Sequence, residues 1–201
     1  MKIGIVDYGA GNLLSVHRAI TYLGPRAIFV NKPEDFKEVS AIILPGVGAF
    51  GAAIRSLEGV KDELLNWIYS GKPYLGICLG LQLLFEESEE SPGVSGLSVF
   101  RGKVVKFKTG KVPQIGWNSV KIVRPTGVFA GIPDGEYFYF LHSFYVVPED
   151  DNLVISRTEY YVDFASGVQK ENITAVQFHP EKSGKAGLKF LSNWINFAAT
   201  L

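Results

Sequence analysis

The segment PYLGICLGLQLL, residues 73–84, combines the strongest fold signal of the chain with its only cysteine. Its first part, residues 73–77, is a short apolar run that is typical of a buried parallel strand. A helix is predicted over residues 81–87, so the chain turns sharply at Cys78. Gly76 and Gly80 stand two positions before and after the cysteine, where such a turn admits only very small side chains. The pattern predicts a nucleophile elbow, with cysteine where hydrolases carry serine.

Strand and helix signals alternate on the amino-terminal side of this elbow. Short apolar runs ended by turn residues predict strands, and runs with apolar residues at helical spacing predict helices. Asn12 is expected to cap the first helix, whose apolar face carries Leu13, Val16, Ile20 and Leu23. The predicted strands are 2–7, 27–30, 40–44 and 73–77, and the predicted helices follow residue 12, cover 61–69 and cover 81–87. This alternation predicts a largely parallel sheet with helices on both faces.

The pattern changes after Pro92. Between residues 96 and 177, β-rich runs follow one another with turn residues and no helical periodicity, which predicts mixed or antiparallel strands. A last helix is expected after Ser183, which is its predicted cap. Its predicted apolar stripe consists of Leu188, Leu191, Ile195 and Ala198. The expected fold is α/β, an open, mostly parallel sheet flanked by helices, with an additional mixed or antiparallel β region, as one domain over residues 1–201.

Composition excludes several classes of protein. The chain has 201 residues, of which 47% are hydrophobic and 20% charged, as in ordinary globular domains. Basic and acidic residues are equal at 20 each, which argues against a nucleic-acid partner. No apolar run reaches the about 18 residues of a membrane span, and the amino terminus does not resemble a signal peptide. One cysteine excludes an internal disulfide, and with three histidines a metal site is not expected. A cytoplasmic location without membrane contact is predicted.

A nucleophilic thiolate needs a base, and the chain offers three histidines. His17 falls within a predicted helix, where a solvated role is expected, and His142 lies in an aromatic run where a hydrogen-bonded core role is expected. His179 ends an apolar strand, and the carboxyl ends of parallel strands meet at one edge of the sheet. Glu181 follows two residues later and is placed to orient the imidazole. The hypothesis is a Cys78–His179–Glu181 triad; the alternative is an inert core cysteine.

The glycine-rich run Gly46-Val47-Gly48-Ala49-Phe50-Gly51 admits two interpretations. It matches the dinucleotide fingerprint G-x-G-x-x-G, but it follows the third predicted strand, whereas the fingerprint belongs after the first. It also suits an oxyanion hole, in which this loop supplies one backbone N–H and Leu79 supplies another. The oxyanion hole is the interpretation we carry forward.

Together these motifs resemble the class I, triad-type, glutamine amidotransferases. Further segments match the branch of that family that serves histidine biosynthesis, and they occur in order over nearly the whole chain. The segments are DYGAGNL at 7–13, PGVGAFG at 45–51, GLQLLFEES at 80–88, PQIGWN at 113–118, FLHSFY at 140–145 and HPEKS at 179–183.

The resemblance implies a role for each matching residue. Cys78 is the expected nucleophile, His179 the acid and base, and Glu181 the residue that orients it. Val47, Gly48 and Leu79 are expected to form the oxyanion hole. The residues expected to bind L-glutamine are Gly46, Gln82, Ser143 and Phe144. The resemblance further implies that no cofactor or metal is needed, and that a (β/α)8-barrel cyclase subunit forms a heterodimer with this chain and accepts the ammonia.

Three other functions remain open on the sequence alone. The chain is a candidate for the glutaminase subunit of another pathway, such as anthranilate or aminodeoxychorismate synthesis, although PQIGWN and FLHSFY argue against it. A stand-alone cysteine hydrolase or peptidase of related fold would use the same elbow. A non-catalytic binding module would use the glycine loops and leave Cys78 unreactive.

Overall fold

A computed structural model of the chain describes residues 1–9 and 11–201. Ala10, which belongs to the segment DYGAGNL quoted above, lies outside the described residues. The described part contains five α-helices and twelve strands. The helices are α1 (Leu13–Tyr22), α2 (Phe50–Ser56), α3 (Lys61–Tyr69), α4 (Leu79–Gln82) and α5 (Gly184–Ala198). The strands are β1 (Lys2–Val6), β2 (Arg26–Val30), β3 (Ala41–Leu44), β4 (Tyr74–Ile77), β5 (Glu87–Ser88), β6 (Gly102–Lys106), β7 (Gln114–Ile122), β8 (Glu136–His142), β9 (Phe144–Pro148), β10 (Val154–Tyr160), β11 (Val162–Lys170) and β12 (Ile173–Val176).

The parallel part of the sheet has the strand order β2-β1-β3-β4-β12. Every neighbouring pair in this part is parallel. The strand β12 comes from the end of the chain and pairs with β4, so that Val176 lies beside Ile77. This pairing places the residues that follow β12 next to those that follow β4, which confirms the predicted parallel sheet.

The antiparallel part continues from β12 through β11, β10, β7 and β8. A branch leaves it where β9 pairs with β11, and β9 continues to β6 and β5. The pairs β10–β11, β7–β8 and β6–β9 are antiparallel. The β-rich second half is therefore the predicted additional β region, joined to the parallel strands as one mixed sheet.

Two apolar cores cover the two faces of the sheet, as the continuous burial of the central strands requires. One core contains Phe50 of α2 and Trp67 of α3. The other contains Ile20 of α1 and Trp194 of α5. The strands β3, β4 and β12 are buried at every position, so the parallel part is a rigid base for the loops at its carboxyl edge.

Two helix predictions differ from the structure. The helix predicted over residues 81–87 is the short α4, which ends at Gln82. Its continuation is prevented because the carbonyl oxygens of Leu83 and Leu84 accept hydrogen bonds from backbone N–H groups of residues 97–100. The helix α2 was not predicted, and only its first two residues, Phe50 and Gly51, belong to the glycine-rich run analysed above.

Asn12 and Ser183 stand at the N-cap positions of α1 and α5 as predicted, but the prediction that their side chains cap these helices is wrong. Neither side chain makes a capping hydrogen bond. The side chain of Asn12 donates to Glu181 Oε1 instead. The hydroxyl of Ser183 donates to the His179 carbonyl at 2.6 Å and accepts from Tyr139 N at 3.0 Å. Both side chains hold the His179 segment, which makes them part of the site described next.

The buried face of α5 is shifted relative to the apolar stripe predicted for the last helix. Leu191 and Ala198 are buried as predicted, but Leu188 and Ile195 lie at the margin of the buried face. Phe190 and Trp194 fill its centre. Among the described residues, no helix is long and apolar enough to cross a membrane.

Candidate active site

Cys78 occupies a strained turn between β4 and α4. Its backbone has φ 55° and ψ −105°, a conformation that a residue with a side chain rarely adopts. A Cβ added at Gly76 would lie 2.6 Å from the Gly80 carbonyl oxygen, and one added at Gly80 would lie 1.9 Å from that of Leu44. Both flanking glycines are therefore required by close packing, which is the steric condition expected of a nucleophile elbow.

The pairing of β4 with β12 brings His179 to the cysteine. The N–H of Cys78 donates to the Val176 carbonyl at 2.8 Å, and His179 follows three residues after Val176. Backbone contacts then fix the histidine, because its N–H donates to the Tyr139 carbonyl at 2.8 Å. The nucleophile and the histidine thus depend on two adjacent parallel strands and on β8.

His179 and Glu181 form a buried pair. The histidine Nδ1 lies 2.8 Å from Glu181 Oε1, and the two side chains are 1% and 0% exposed. Asn12 donates a second hydrogen bond to the same carboxylate oxygen. Because Nδ1 is engaged by the carboxylate, the other ring nitrogen, Nε2, is the one available for proton transfer.

Two opposing effects act on the histidine. Burial by itself lowers the pKa of His179, but the Cys78 sulfur and then the Glu181 carboxylate outweigh it and raise this pKa to about 10. Nε2 is buried and lacks a partner with hydrogen-bond geometry among the described residues, and the Cys78 sulfur lies 3.7 Å from the Leu141 carbonyl oxygen. The Cys78 sulfur and the Glu181 carboxylate thus both favour the protonated form of the imidazole.

A cavity of about 270 Å³ opens onto the cysteine. The predicted site residues that line it are Val47, Gly48, Cys78, Leu79, Gln82, Ser143 and Phe144. Its other lining residues are Glu90, Pro113, Leu141 and His142. Gly46, His179 and Glu181 do not line it. The cavity has the size of a small polar metabolite and presents the cysteine at its wall.

The Gly46–Val47 peptide of the loop Pro45–Gly48 turns its carbonyl group, and not the expected N–H, toward Leu79. The N–H of Leu79 donates to the Gly46 carbonyl oxygen at 3.3 Å, so this carbonyl occupies the place expected for an oxyanion. Behind the loop, the buried hydroxyl of Tyr8 donates to the Pro45 carbonyl at 2.9 Å. A Cβ at Gly46 would lie 2.0 Å from that hydroxyl oxygen, which is why glycine is needed there.

The other two histidines have the structural roles that were expected. His142 is buried, with Nδ1 2.7 Å from the Phe144 carbonyl oxygen and Nε2 2.9 Å from the side-chain amide of Gln114. Burial lowers the pKa of His142 to about 4, so its ring is neutral at pH 7. His17 is half-buried at the surface of α1, where its ring stacks on Phe29.

Three residues at the site were missed by the sequence analysis. Glu90 lines the cavity and accepts from the Phe50 N–H at 2.7 Å, and Asn12 contacts Glu181. No local signal marks these two, since both contacts are long-range. Gln177 donates to the Cys78 sulfur at 3.5 Å. A polar residue within the apolar run AVQF, two positions before His179, was a signal for Gln177 that went unused.

A larger concavity, of about 870 Å³, lies along β7, β10 and β11. Its lining includes Trp117, Arg157 and Asp163 but neither a cysteine nor a histidine, so its size does not make it the catalytic centre. Among the described residues, no group of three or more His, Cys, Asp or Glu side chains is arranged to hold a metal ion.

Solved structures with a similar fold include a glutamine amidotransferase. One described as a glutamine amidotransferase covers 98% of this chain and 98% of its own, with TM-score 0.78 and 20% identity. PurLQS from Thermotoga maritima gives TM-score 0.79 at 21% identity and covers 98% of both chains. At these identities the comparison establishes the fold.

Sequence relatives are closer. The imidazole glycerol phosphate synthase subunit HisH of Methanothermobacter thermautotrophicus is 48% identical over 194 residues, which cover 96% of this chain and 97% of the relative. The HisH subunit of Methanocaldococcus jannaschii is also 48% identical, covering 96% and 98%. The family model for class-I glutamine amidotransferase matches residues 4–196. With a cysteine elbow, a buried His–Glu pair and a match over almost its whole length, the chain belongs to the class-I glutamine amidotransferase family and is a glutamine amidotransferase enzyme.

Proposed function

We propose that this chain is the glutaminase subunit of an imidazole glycerol phosphate synthase and that residues 1–201 form one glutamine amidotransferase domain. It hydrolyses L-glutamine to glutamate and ammonia, and the ammonia passes to a (β/α)8-barrel cyclase subunit in histidine biosynthesis. The observation that carries the proposal is the meeting of Cys78 with the buried His179–Glu181 pair at one sheet edge. The similarity to the HisH subunits supports the choice of pathway.

The chemistry begins with the Cys78 thiolate. Its sulfur attacks the side-chain carboxamide carbon of glutamine, and the carbonyl electron pair moves onto oxygen to give a tetrahedral adduct. His179 gives its Nε2 proton to the departing nitrogen. The C–N bond breaks, ammonia leaves, and the glutamyl group remains on the Cys78 sulfur as a thioester. The neutral histidine then takes a proton from water, which attacks the thioester and releases glutamate. Glu181 holds the ring with Nδ1 toward its carboxylate throughout.

The cavity offers complementary groups for the amino-acid end of glutamine. Gln82 Nε2 donates to the Phe144 carbonyl at 3.0 Å and to Gln177 Oε1 at 3.1 Å, so both its protons are used. Only the oxygen of the Gln82 amide remains to receive the substrate ammonium group. Glu90 adds a carboxylate to the same cavity, and the Ser143–Phe144 segment lines its other side, where we place the substrate carboxylate.

The loop Pro45–Gly48 serves in this proposal as a gate. The Gly46 carbonyl accepts from the Leu79 N–H, which is one of the two proposed oxyanion donors. Rotation of the Gly46–Val47 peptide would remove this carbonyl and present the Val47 N–H instead. Loss of one oxyanion donor costs about 10²–10³ in turnover, so a single peptide rotation is a sufficient switch. Binding of the partner and its ligand is proposed to drive it.

The proposed docking surface for the barrel subunit borders the cavity. Ile115, Trp117 and Tyr137 are 61%, 56% and 56% exposed on the hairpin β7–β8. Ile115 lies opposite Leu141, which lines the cavity, so a partner bound here is next to the point where ammonia leaves. Large exposed aromatic side chains are typical of protein interfaces. We propose a heterodimer in the cytoplasm that uses no cofactor in this subunit.

The test is substitution of the nucleophile in the reconstituted complex. Cys78→Ser is expected to abolish glutamate release from glutamine, while the complex still forms product from free ammonia, because ring closure belongs to the barrel. The readouts are glutamate release and ammonia-dependent product formation with the same preparation. Glutaminase activity above a trace in Cys78→Ser would remove the cysteine from the mechanism, and a complex inactive with ammonia would contradict the division of labour.

A further inference from the structure

We infer that Gln177 is a positioning residue for the nucleophile: it donates a hydrogen bond to the Cys78 sulfur, and Gln82 with the Phe144 carbonyl holds it in the donating orientation. The inference rests on the proposed role of Cys78. It adds a residue that does not line the cavity.

Gln177 is completely buried directly after β12. Its backbone N–H donates to the Ser166 carbonyl at 2.9 Å, so the main chain is anchored on β11. Its side-chain Nε2 lies 3.5 Å from the Cys78 sulfur, and its Oε1 accepts from Gln82 Nε2 at 3.1 Å. A buried amide with both ends engaged has one defined orientation.

The Phe144 carbonyl, at the end farthest from the sulfur, determines which group donates in each hydrogen bond of this chain. The Phe144 carbonyl oxygen can only accept, so the Gln82 amide must turn its NH2 group toward it. The same NH2 group faces Gln177, which must therefore present its oxygen to Gln82. The NH2 group of Gln177 is then left for the sulfur. Reversing the amides would set two carbonyl oxygens against each other at Phe144.

A fixed donor at the sulfur has a chemical consequence. A thiolate is an acceptor only, whereas a thiol is a weak acceptor and spends its proton elsewhere, here toward Leu141. Hydrogen bonds to charged groups are about twice as strong as those to neutral groups. The Gln177 N–H therefore stabilises the thiolate more than the thiol. Because Gln177 follows β12, this hydrogen bond holds the sulfur on the side of the strand that leads to His179.

The experiment measures the rate of Cys78 alkylation by iodoacetamide against pH in the isolated chain. For Gln177→Leu, the midpoint of the pH–rate profile is expected to rise by about one pH unit, with about tenfold slower alkylation below the midpoint. The matched control is Gln169→Leu, which removes a glutamine that donates to Thr174 on the neighbouring strand, and its profile should equal that of the wild type. In the reconstituted complex, kcat of Gln177→Leu should fall about tenfold while KM for glutamine changes less than about threefold.

A second variant separates the donor from the packing. Gln177→Met keeps an unbranched chain of similar length without an N–H, and it should show the same rise in midpoint while remaining folded by circular dichroism. If either folded variant alkylates with the wild-type profile, Gln177 only fills the core and the inference is wrong. Alkylation needs no glutamine, so this result is independent of whether the wild type proves to be a glutaminase.

Discussion

The elbow at residues 76–80 and the loop Pro45–Gly48 both border the cavity, but they differ in the physical reason for which they need glycine. At the elbow, Gly76 and Gly80 are needed because backbone atoms leave no room for a side chain. In the loop, Gly46 is likewise needed for space, beside the Tyr8 hydroxyl, whereas Gly48 has open space around it and is needed for its φ of 127°. The elbow is held on all sides, whereas the loop has freedom on the side that faces the cavity.

This difference separates the two requirements of the reaction. The nucleophile and its base are assembled by β4 and β12, which are buried throughout. The oxyanion donors depend on one peptide, and that peptide presently accepts a hydrogen bond from Leu79 rather than offering its own N–H. On the proposed function, the chain therefore has a preassembled nucleophile and an adjustable oxyanion hole.

The largest effect is expected from the histidine at the rigid site. His179→Asn should lower glutaminase turnover of the complex by about 10⁵-fold or more, as is typical when the base of a triad is removed. His17→Asn is the matched control, because His17 lies on the surface of α1, and it should retain wild-type turnover. Comparable turnover of the two variants would contradict the assignment of His179.

Removal of the orienting carboxylate should cost less. Glu181→Ala is expected to reduce turnover by about 10³–10⁴-fold, because the imidazole loses the partner of Nδ1. Cys78 should still be alkylated, since the sulfur remains on its elbow. Steady-state glutamate release and iodoacetamide labelling measure the two properties. A Glu181→Ala complex with unchanged turnover would remove this residue from the mechanism.

A pair of glycine variants tests directly whether the elbow is held more tightly than the loop. Gly80→Ala should lower the free energy of unfolding by about 3 kcal/mol, because its Cβ would overlap the Leu44 carbonyl. Gly48→Ala should cost only about 1 kcal/mol, from the positive φ, yet reduce partner-stimulated turnover by about 10²-fold by restricting the loop. Urea unfolding and glutamate release give both numbers. Equal destabilisation by the two variants would show that the loop is as tightly held as the elbow.

The last prediction concerns the dependence of stability on pH. The pKa of His179 is raised from 6.5 to about 10, so its contribution to folding is fully present below pH 6.5 and is lost as the pH rises toward 10. The wild type should therefore lose stability relative to His179→Asn over this range, by at most about 1.4 kcal/mol per pH unit. Urea midpoints of both proteins between pH 6.5 and 10 test the sign. A constant or growing advantage of the wild type would contradict the raised pKa.

What the sequence predicted correctly depends on short-range sterics and on strand order. The elbow is visible because Gly76, Cys78 and Gly80 are close in sequence and the collision they avoid is local. The placement of His179 beside Cys78 follows from the rule that parallel strands end at one edge.

The features that the sequence did not predict depend on contacts between distant segments. The helix α4 stops early because a loop twelve or more residues away donates hydrogen bonds to the carbonyl groups of the two residues that follow it, Leu83 and Leu84. The position of Glu90 in the cavity depends on the amino terminus of α2, which was itself missed. The orientation of the Gly46–Val47 peptide depends on the Leu79 N–H. Glycine composition indicates that such a peptide is free to turn but not which way it faces.

In the proposed account, the isolated chain has its nucleophile and base in position, whereas the Gly46–Val47 peptide does not yet offer its N–H to the oxyanion. The most direct measurement follows glutamate release and Cys78 alkylation in the same preparations of the chain, alone, with the barrel subunit, and with the barrel subunit plus its ligand. Glutamate release should rise by at least about 10²-fold in the last case, with a smaller rise from the barrel alone, while alkylation does not rise. Full glutaminase activity of the isolated chain, or alkylation that rises in parallel with glutamate release, would contradict the account.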